Sequence, residues 1–398
     1  MKSSGGRMGR AWRSAAAASV VLVSALVVGC TSAPNPTPPP VPTTPIMNTP
    51  TPTTTTSVPL TPLQPSGTPR TIQSGLKAPW SMLRLPSGST LVSERDSGLI
   101  REILPDGGSI RDVGTVPGVV HAGEGGLLGL AAPKPLYEGS DPEFVYAYLT
   151  TASDNRVVRM KLGGVPGIYR LGPPEKILTG IPKANIHNGG RIAFGPDGML
   201  YITTGDASGH DNAQSLDSLG GKILRLTPTG DVPADNPFPG SPIYSYGHRN
   251  PQGLAWDSHG TLWASEFGQN TWDELNIITP GADYGWPIVE GIAHNAKFTD
   301  PVYQWRTSDA SPSGITIVND TIFMAGLGGK RLWSIYPTSG GAPVRAIASY
   351  VNTLGRLRDV MAVGHDTLWL LTNNTDGRGT PRSGDDRISA VRLSPLDG

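Results

Sequence analysis

The feature that most restricts the fold is a hairpin signature that recurs six times along the chain. Each copy is an apolar strand, a turn built on Gly, Asp or Asn, and a second apolar strand often closing on Ser, Thr or Glu, usually followed by a third strand. The clearest copies are Ser81-Met82-Leu83-Arg84-Leu85 with Thr90-Leu91-Val92-Ser93-Glu94, Arg191-Ile192-Ala193-Phe194 with Leu200-Tyr201-Ile202-Thr203, and Gly253-Leu254-Ala255-Trp256 with Leu262-Trp263-Ala264-Ser265-Glu266. Weaker ones run from Leu127 to Ala132 with Val145 to Tyr148, from Gly314 to Ile317 with Thr321 to Met324, and from Asp359 to Ala362 with Leu368 to Leu371. Their spacing, roughly 45 to just over 60 residues, is the period of propeller blades with loops added on one face. A β-sandwich or a string of small β domains does not repeat one hairpin at a near-constant period. Beyond about residue 72 no long segment has helical apolar periodicity, and short β-branched and aromatic runs alternate with turn residues. Residues 71–398 are therefore expected to form an all-β, six-bladed β-propeller.

The N-terminus belongs to another class. Lys2, Arg7, Arg10 and Arg13 precede an apolar run from Ala15 to Val28 that is too short to span a bilayer, the pattern of a signal peptide over residues 1–29. The run closes on Leu26-Val27-Val28-Gly29-Cys30, which resembles the lipobox of bacterial lipoproteins. That resemblance implies diacylglycerol and palmitate on Cys30 and a protein held on the outer face of the cell membrane. Residues 30–70 are dominated by Pro and Thr, with too few apolar groups to bury, and read as a stiff, disordered tether.

Cys30 is the only cysteine, which excludes an intramolecular disulfide and a thiolate zinc site. Lys+Arg 32 balances Asp+Glu 32, and the body of the chain has no basic run interleaved with aromatics, so nucleic acid is excluded as a partner.

Several inter-strand motifs point to chemistry. They are His121-Ala122-Gly123-Glu124-Gly125-Gly126-Leu127, Ile186-His187-Asn188-Gly189-Gly190-Arg191 leading to Gly205-Asp206, Tyr246-Gly247-His248-Arg249-Asn250-Pro251, Glu266-Phe267-Gly268-Gln269-Asn270 with Asp273-Glu274, Asp283-Tyr284-Gly285-Trp286-Pro287, and Arg356-Leu357-Arg358-Asp359. In this order, at blade spacing, they resemble the glucose/sorbosone dehydrogenases, soluble sugar dehydrogenases that use pyrroloquinoline quinone (PQQ) and calcium. The resemblance implies that His187 is the general base for the sugar's anomeric hydroxyl, a task suited to imidazole. It implies that Arg249, Asn250, Arg356 and Arg358 hold the cofactor, where guanidinium forks pair with carboxylates. Arg356 and Arg358, two apart on a strand, are expected to face the same side. Main-chain carbonyls of Gly268 and Gln269 match the ligands of one calcium ion, and Glu274 with the carbonyl of Tyr284 match those of a second.

Four positions depart from the family pattern. Glu124 stands where a cofactor-contacting Gln is usual, and its charge would repel a tricarboxylate unless protonated or met by a cation. Ile186 replaces the acid expected to orient the histidine. Lys330 takes the place of the cofactor lysine only after a shift, and Asn373 occupies an acid position. These residues frame two readings: a lipid-anchored aldose dehydrogenase acting on a small sugar, or a non-catalytic propeller that binds a sugar, envelope component or protein partner. A calcium-dependent lactonase-like hydrolase, the third, would need more convergent carboxylates than Glu124 and Glu266.

Overall fold

The computed structural model describes residues 60–135, 137–338 and 344–397; the expected signal peptide, Cys30 and the tether up to residue 59 lie outside them. The described strands form six antiparallel sheets, the blades of a propeller, five of them built from strands consecutive in sequence. All six repeated hairpins are the first two strands of a blade. They are Pro79–Arg84 with Thr90–Glu94 in blade 1, Leu127–Ala131 with Phe144–Thr150 in blade 2, and Ile192–Phe194 with Leu200–Thr204 in blade 3. Blades 4, 5 and 6 begin with Pro251–Trp256 and Leu262–Glu266, Pro312–Val318 and Thr321–Gly326, and Leu357–Ala362 and Thr367–Thr372. The first strands of successive blades contact one another around the axis, blade 6 meeting blade 1.

A blade is covered on both faces, so its strands read as continuous apolar runs rather than as alternating ones. Thr90–Glu94, Leu127–Ala131, Leu200–Thr204 and Leu262–Glu266 are buried at every position. The core is accordingly divided into six apolar clusters, one at each blade interface. Leu91 and Leu127 belong to the cluster between blades 1 and 2, Met82 and Leu371 to the one between blades 1 and 6.

Blade 6 is assembled from both ends of the described chain. Its outermost strand, Leu63–Gln73, pairs antiparallel with Ile388–Pro395. This corrects the expected end of the tether at residue 70, because the strand begins seven residues earlier, at Leu63. Pro65, Gly67 and Pro69 read as breakers in the sequence, but an edge strand with one partner tolerates proline. The register shifts between Ser66 and Arg70, where Gly67 takes φ +73°. Leu63 is also locked into the ring, its N–H donating to Thr321 Oγ1 (3.0 Å) and its carbonyl accepting from the Tyr336 hydroxyl (3.1 Å).

Near the axis the first strands meet in a buried polar plug. The Arg191 guanidinium from blade 3 lies 3.2 Å from the Asp359 carboxylate of blade 6, donates to Ser81 Oγ of blade 1 (3.2 Å) and to the Gln252 carbonyl of blade 4 (2.9 Å), and covers the Trp80 ring. The Met82 N–H also donates to the Asp359 carboxylate (2.9 Å). Gly314 lines this junction because a Cβ there would sit 1.9 Å from Asp359 Oδ1.

Candidate functional site

In an antiparallel blade, the residues just before the first strand and just after the second lie at the same end of the sheet. One end of the propeller therefore gathers the Gly, Asn, His and Arg loops picked out in the sequence. His187 sits in the loop before Ile192–Phe194, and Asp206 in the loop after Leu200–Thr204; the pairing of Ile192 with Ile202 brings the two together. His187 Nδ1 lies 2.8 Å from Asp206 Oδ1, while Oδ2 accepts from the Trp286 indole (2.9 Å) and the Ser208 N–H also donates to Oδ1 (2.8 Å). Burial pushes the Asp206 carboxyl up, but the hydrogen bonds from His187, Trp286 and Ser208 outweigh it and hold the group below its ordinary range. The expectation that Ile186 leaves the histidine without an acid is corrected: Asp206 supplies it from across the hairpin.

The loop itself is tightly specified. His187 takes φ +60°, uncommon for a residue with a side chain. Its N–H donates to Glu124 Oε2 (2.9 Å), its carbonyl accepts from Ala207 (3.1 Å), and the neighbouring Gly189 N–H donates to Asn250 Oδ1 (2.9 Å). Asn250, expected to hold a cofactor, thus braces the histidine loop. The Asp206 N–H likewise donates to the Arg249 carbonyl (2.8 Å).

Beside this pair opens a narrow cleft, about 30 Å³ in volume, lined by Trp80, Glu124, Gln252 and Asp376 and by four arginines, Arg95, Arg356, Arg358 and Arg378. Arg356 and Arg358 both face it, as their spacing requires. Arg356 lies 3.1 Å from Asp376; Arg358 donates to Gln252 Oε1 (2.7 Å) and to Asn373 Oδ1 (3.1 Å). Asn373, in turn, donates to the Pro79 carbonyl (2.8 Å), so it orients Arg358 where an acid was expected. Burial pulls the Arg358 guanidinium down to about 9, against the opposing pull of Asp376. The charge on Glu124 is met by a cation after all: Arg378 Nη1 lies 2.9 Å from Oε1. Lys330 is exposed on a turn of blade 5, and Leu327 lines the cavity in its stead.

A smaller cavity of about 10 Å³ adjoins this one and is lined by Arg249, Gly268, Tyr284 and Trp286 with the acids Glu266, Glu274 and Glu290. Gly268, Glu274 and Tyr284, assigned by resemblance to two calcium sites, are thereby brought to one place. Gln269 is exposed, with its N–H on Glu290 (2.6 Å). Glu266 and Glu274 are cross-strand partners, and burial together with Glu266 pushes Glu274 up to about 8. Glu266 is met by His248 Nδ1 (2.8 Å), while Glu274 is held against it in a buried setting, and such a pair of carboxylates suits a hard cation bound through oxygen ligands. Among the described residues no three His, Cys, Asp or Glu side chains form a metal site by themselves, so carbonyls would complete the set. The arginine cavity fits an anion for the complementary reason: Glu124 and Asp376 are the two carboxylates that line it beside four guanidinium groups, of which Arg95 is also paired with Asp96 (2.6 Å), and Arg356 buries an Nε–H without an acceptor.

Sequence reasoning gave no role to Asp206, Trp286, Asp376 or Arg378. Asp206 was legible from the hairpin register, since it lies just past the strand that pairs with the one His187 introduces. Asp376 and Arg378 sit in the long loop between Thr367–Thr372 and Ile388–Pro395, which carries no periodic signal.

The sequence family described as Glucose / Sorbosone dehydrogenase matches residues 76–380. The PQQ-bound aldose sugar dehydrogenase of Streptomyces coelicolor superposes with a TM-score of 0.78 at 51% identity, covering 83% of this chain and 98% of that one. Aldose sugar dehydrogenase YliI of Escherichia coli is 29% identical over 343 residues, 77% of this chain and 90% of the relative. Quinoprotein glucose dehydrogenase B of Acinetobacter calcoaceticus is 34% identical over 263 residues, 58% of this chain but only 54% of the relative, so the match spans about half of that protein. The chain belongs to the glucose/sorbosone dehydrogenase family.

Proposed function

We propose that this member of the glucose/sorbosone dehydrogenase family is a quinoprotein-type aldose sugar dehydrogenase that oxidises a sugar at its anomeric carbon. The observation that carries the reading is the His187–Asp206 pair, fixed by Trp286 and set beside a cavity with an excess of arginine. With Nδ1–H donated to an ionised Asp206, the other ring nitrogen, Nε2, keeps its lone pair for the proton of the anomeric hydroxyl. The imidazolium that forms is then stabilised by a carboxylate already in contact, without reorganisation. PQQ, when bound, supplies the acceptor for the hydride that leaves the anomeric carbon. Arg356 and Arg358 would hold its carboxylates, with Arg249 reaching from the opposite loop, and Gly268, Glu274 and Tyr284 would contribute to calcium. The residues that favoured a non-catalytic propeller fit the enzyme equally well: Glu124 is neutralised by Arg378, Asn373 orients Arg358, and Asp206 replaces the acid missing at Ile186.

The lipobox-like Cys30 supports a location on the outer face of a membrane, with the Pro/Thr-rich segment as a spacer and the sugar, or an envelope component that carries it, arriving from outside. The test is calorimetric titration of the full chain in detergent with PQQ and calcium, alongside dye reduction over a panel of aldoses. Saturable binding with sugar-dependent reduction is expected; absence of binding refutes the dehydrogenase reading. Radiolabelled palmitate incorporation lost in Cys30→Ala tests the anchor.

A further inference from the structure

Glu124 touches both halves of the site. It belongs to the loop leading into blade 2, and one carboxylate oxygen accepts the His187 N–H (2.9 Å) while the other pairs with Arg378 (2.9 Å) on the far loop of blade 6. Its own N–H donates to the Asn185 carbonyl (2.7 Å), two residues before the histidine. The two loops are in such close contact that a Cβ on Gly123 would fall 2.1 Å from that same carbonyl. The His187 N–H it caps belongs to a residue in the left-handed region, a conformation that persists only where surrounding contacts over-determine it. On the other side, Arg378 lines the cavity with Arg95, Arg356 and Arg358, yet its charge is engaged by Glu124.

We propose that Glu124 is a positioning residue with two separable roles: it holds the His187 backbone in its left-handed conformation, and it withholds Arg378 from the anionic ligand of the cavity. The second role rests on the quinoprotein reading above; the first does not. Holding the backbone requires only an acceptor oxygen, whereas withholding the arginine requires a negative charge. Glu124→Gln therefore separates them, and Glu124→Ala removes both.

The chain has seven histidines, so selective 15N-histidine labelling follows the His187 amide directly in cofactor-free protein. Glu124→Ala should displace that resonance, and Glu124→Gln should leave it near the wild-type position. In turnover, Glu124→Ala should lower kcat by about tenfold or more, the worth of a lost hydrogen bond to a charged acceptor, with Glu124→Gln recovering most of it. In calorimetry with PQQ and calcium, Glu124→Gln should bind roughly tenfold tighter, because Arg378 gains a ligand carboxylate as partner, and Arg378→Ala in that background should abolish the gain. An unmoved His187 amide in Glu124→Ala overturns the positioning role. A Glu124→Gln variant that binds PQQ no better than wild type overturns the withholding role. If wild-type protein binds no PQQ at all, the quinoprotein reading falls together with the withholding role, and the amide resonance alone decides whether Glu124 holds the histidine.

Discussion

Replacing Asp206 by Asn tests the chemistry with the smallest change of shape. The carboxylate accepts three hydrogen bonds, from His187 and Ser208 on Oδ1 and from Trp286 on Oδ2. An amide offers one acceptor oxygen and one donor nitrogen. If the nitrogen faces Trp286, two donors oppose each other; if it faces His187, the ring must present Nδ1 as acceptor and carry its proton on Nε2, the nitrogen needed as base. Either way the variant forfeits the basic tautomer or a buried hydrogen bond. A base held in the wrong tautomer costs roughly 10²–10⁴-fold in kcat. The lost hydrogen bond should lower stability by about 1–3 kcal/mol. Affinity for PQQ should be nearly unchanged, because Arg356 and Arg358 are held by Asp376, Gln252 and Asn373 instead. Because the folded-state pKa of Asp206 lies below its unfolded value, its contribution to stability is complete above the unfolded value and lost as pH falls through the folded one. Asp206→Asn should therefore flatten the acid limb of a stability profile. The assays are steady-state dye reduction, calorimetry with PQQ, and urea denaturation across pH. Turnover within threefold of wild type would refute the base–orienter assignment, as would a loss in Asp206→Asn/His187→Ala double variants equal to the sum of the single losses rather than to His187→Ala alone.

Other outcomes follow from the fold. Asp359→Ala should destabilise the propeller by about 3–5 kcal/mol by leaving the Arg191 guanidinium buried without its carboxylate, whereas a paired Arg191→Met/Asp359→Leu change should cost less; thermal denaturation distinguishes them. Truncation before Leu63 should leave the melting temperature of the propeller unchanged, whereas truncation after Gln73 should lower it sharply, because Ile388–Pro395 then loses its outer partner. Gly314→Ala should destabilise the axis by at least about 1–3 kcal/mol, since its Cβ would overlap Asp359, and denaturant midpoints report it.

The six hairpins were legible because a blade is a local object. Its strands are consecutive, joined by short turns, and buried on both faces, so the apolar runs and the Gly or Asp turns between them are written in contiguous sequence. The family loops were legible for the same reason, each being a short motif at a fixed place before or after a strand. The lipobox-like leader is likewise a local pattern that needs no tertiary context.

What only the tertiary structure decided is which loops meet. The closing strand from Leu63 was hidden because its sequence is rich in breakers and its partner lies more than three hundred residues away in the chain, at Ile388–Pro395. Asp206 becomes the partner of His187 through antiparallel register, and Arg378 becomes the partner of Glu124 because closure of the ring sets blade 6 beside blade 1 and brings its far loop to the loop that leads into blade 2. A sequence read residue by residue counted Glu124 as an uncompensated charge and Ile186 as a missing acid. Charge compensation is a property of distance in space, and in a closed ring the residues that supply it come from blades remote in sequence.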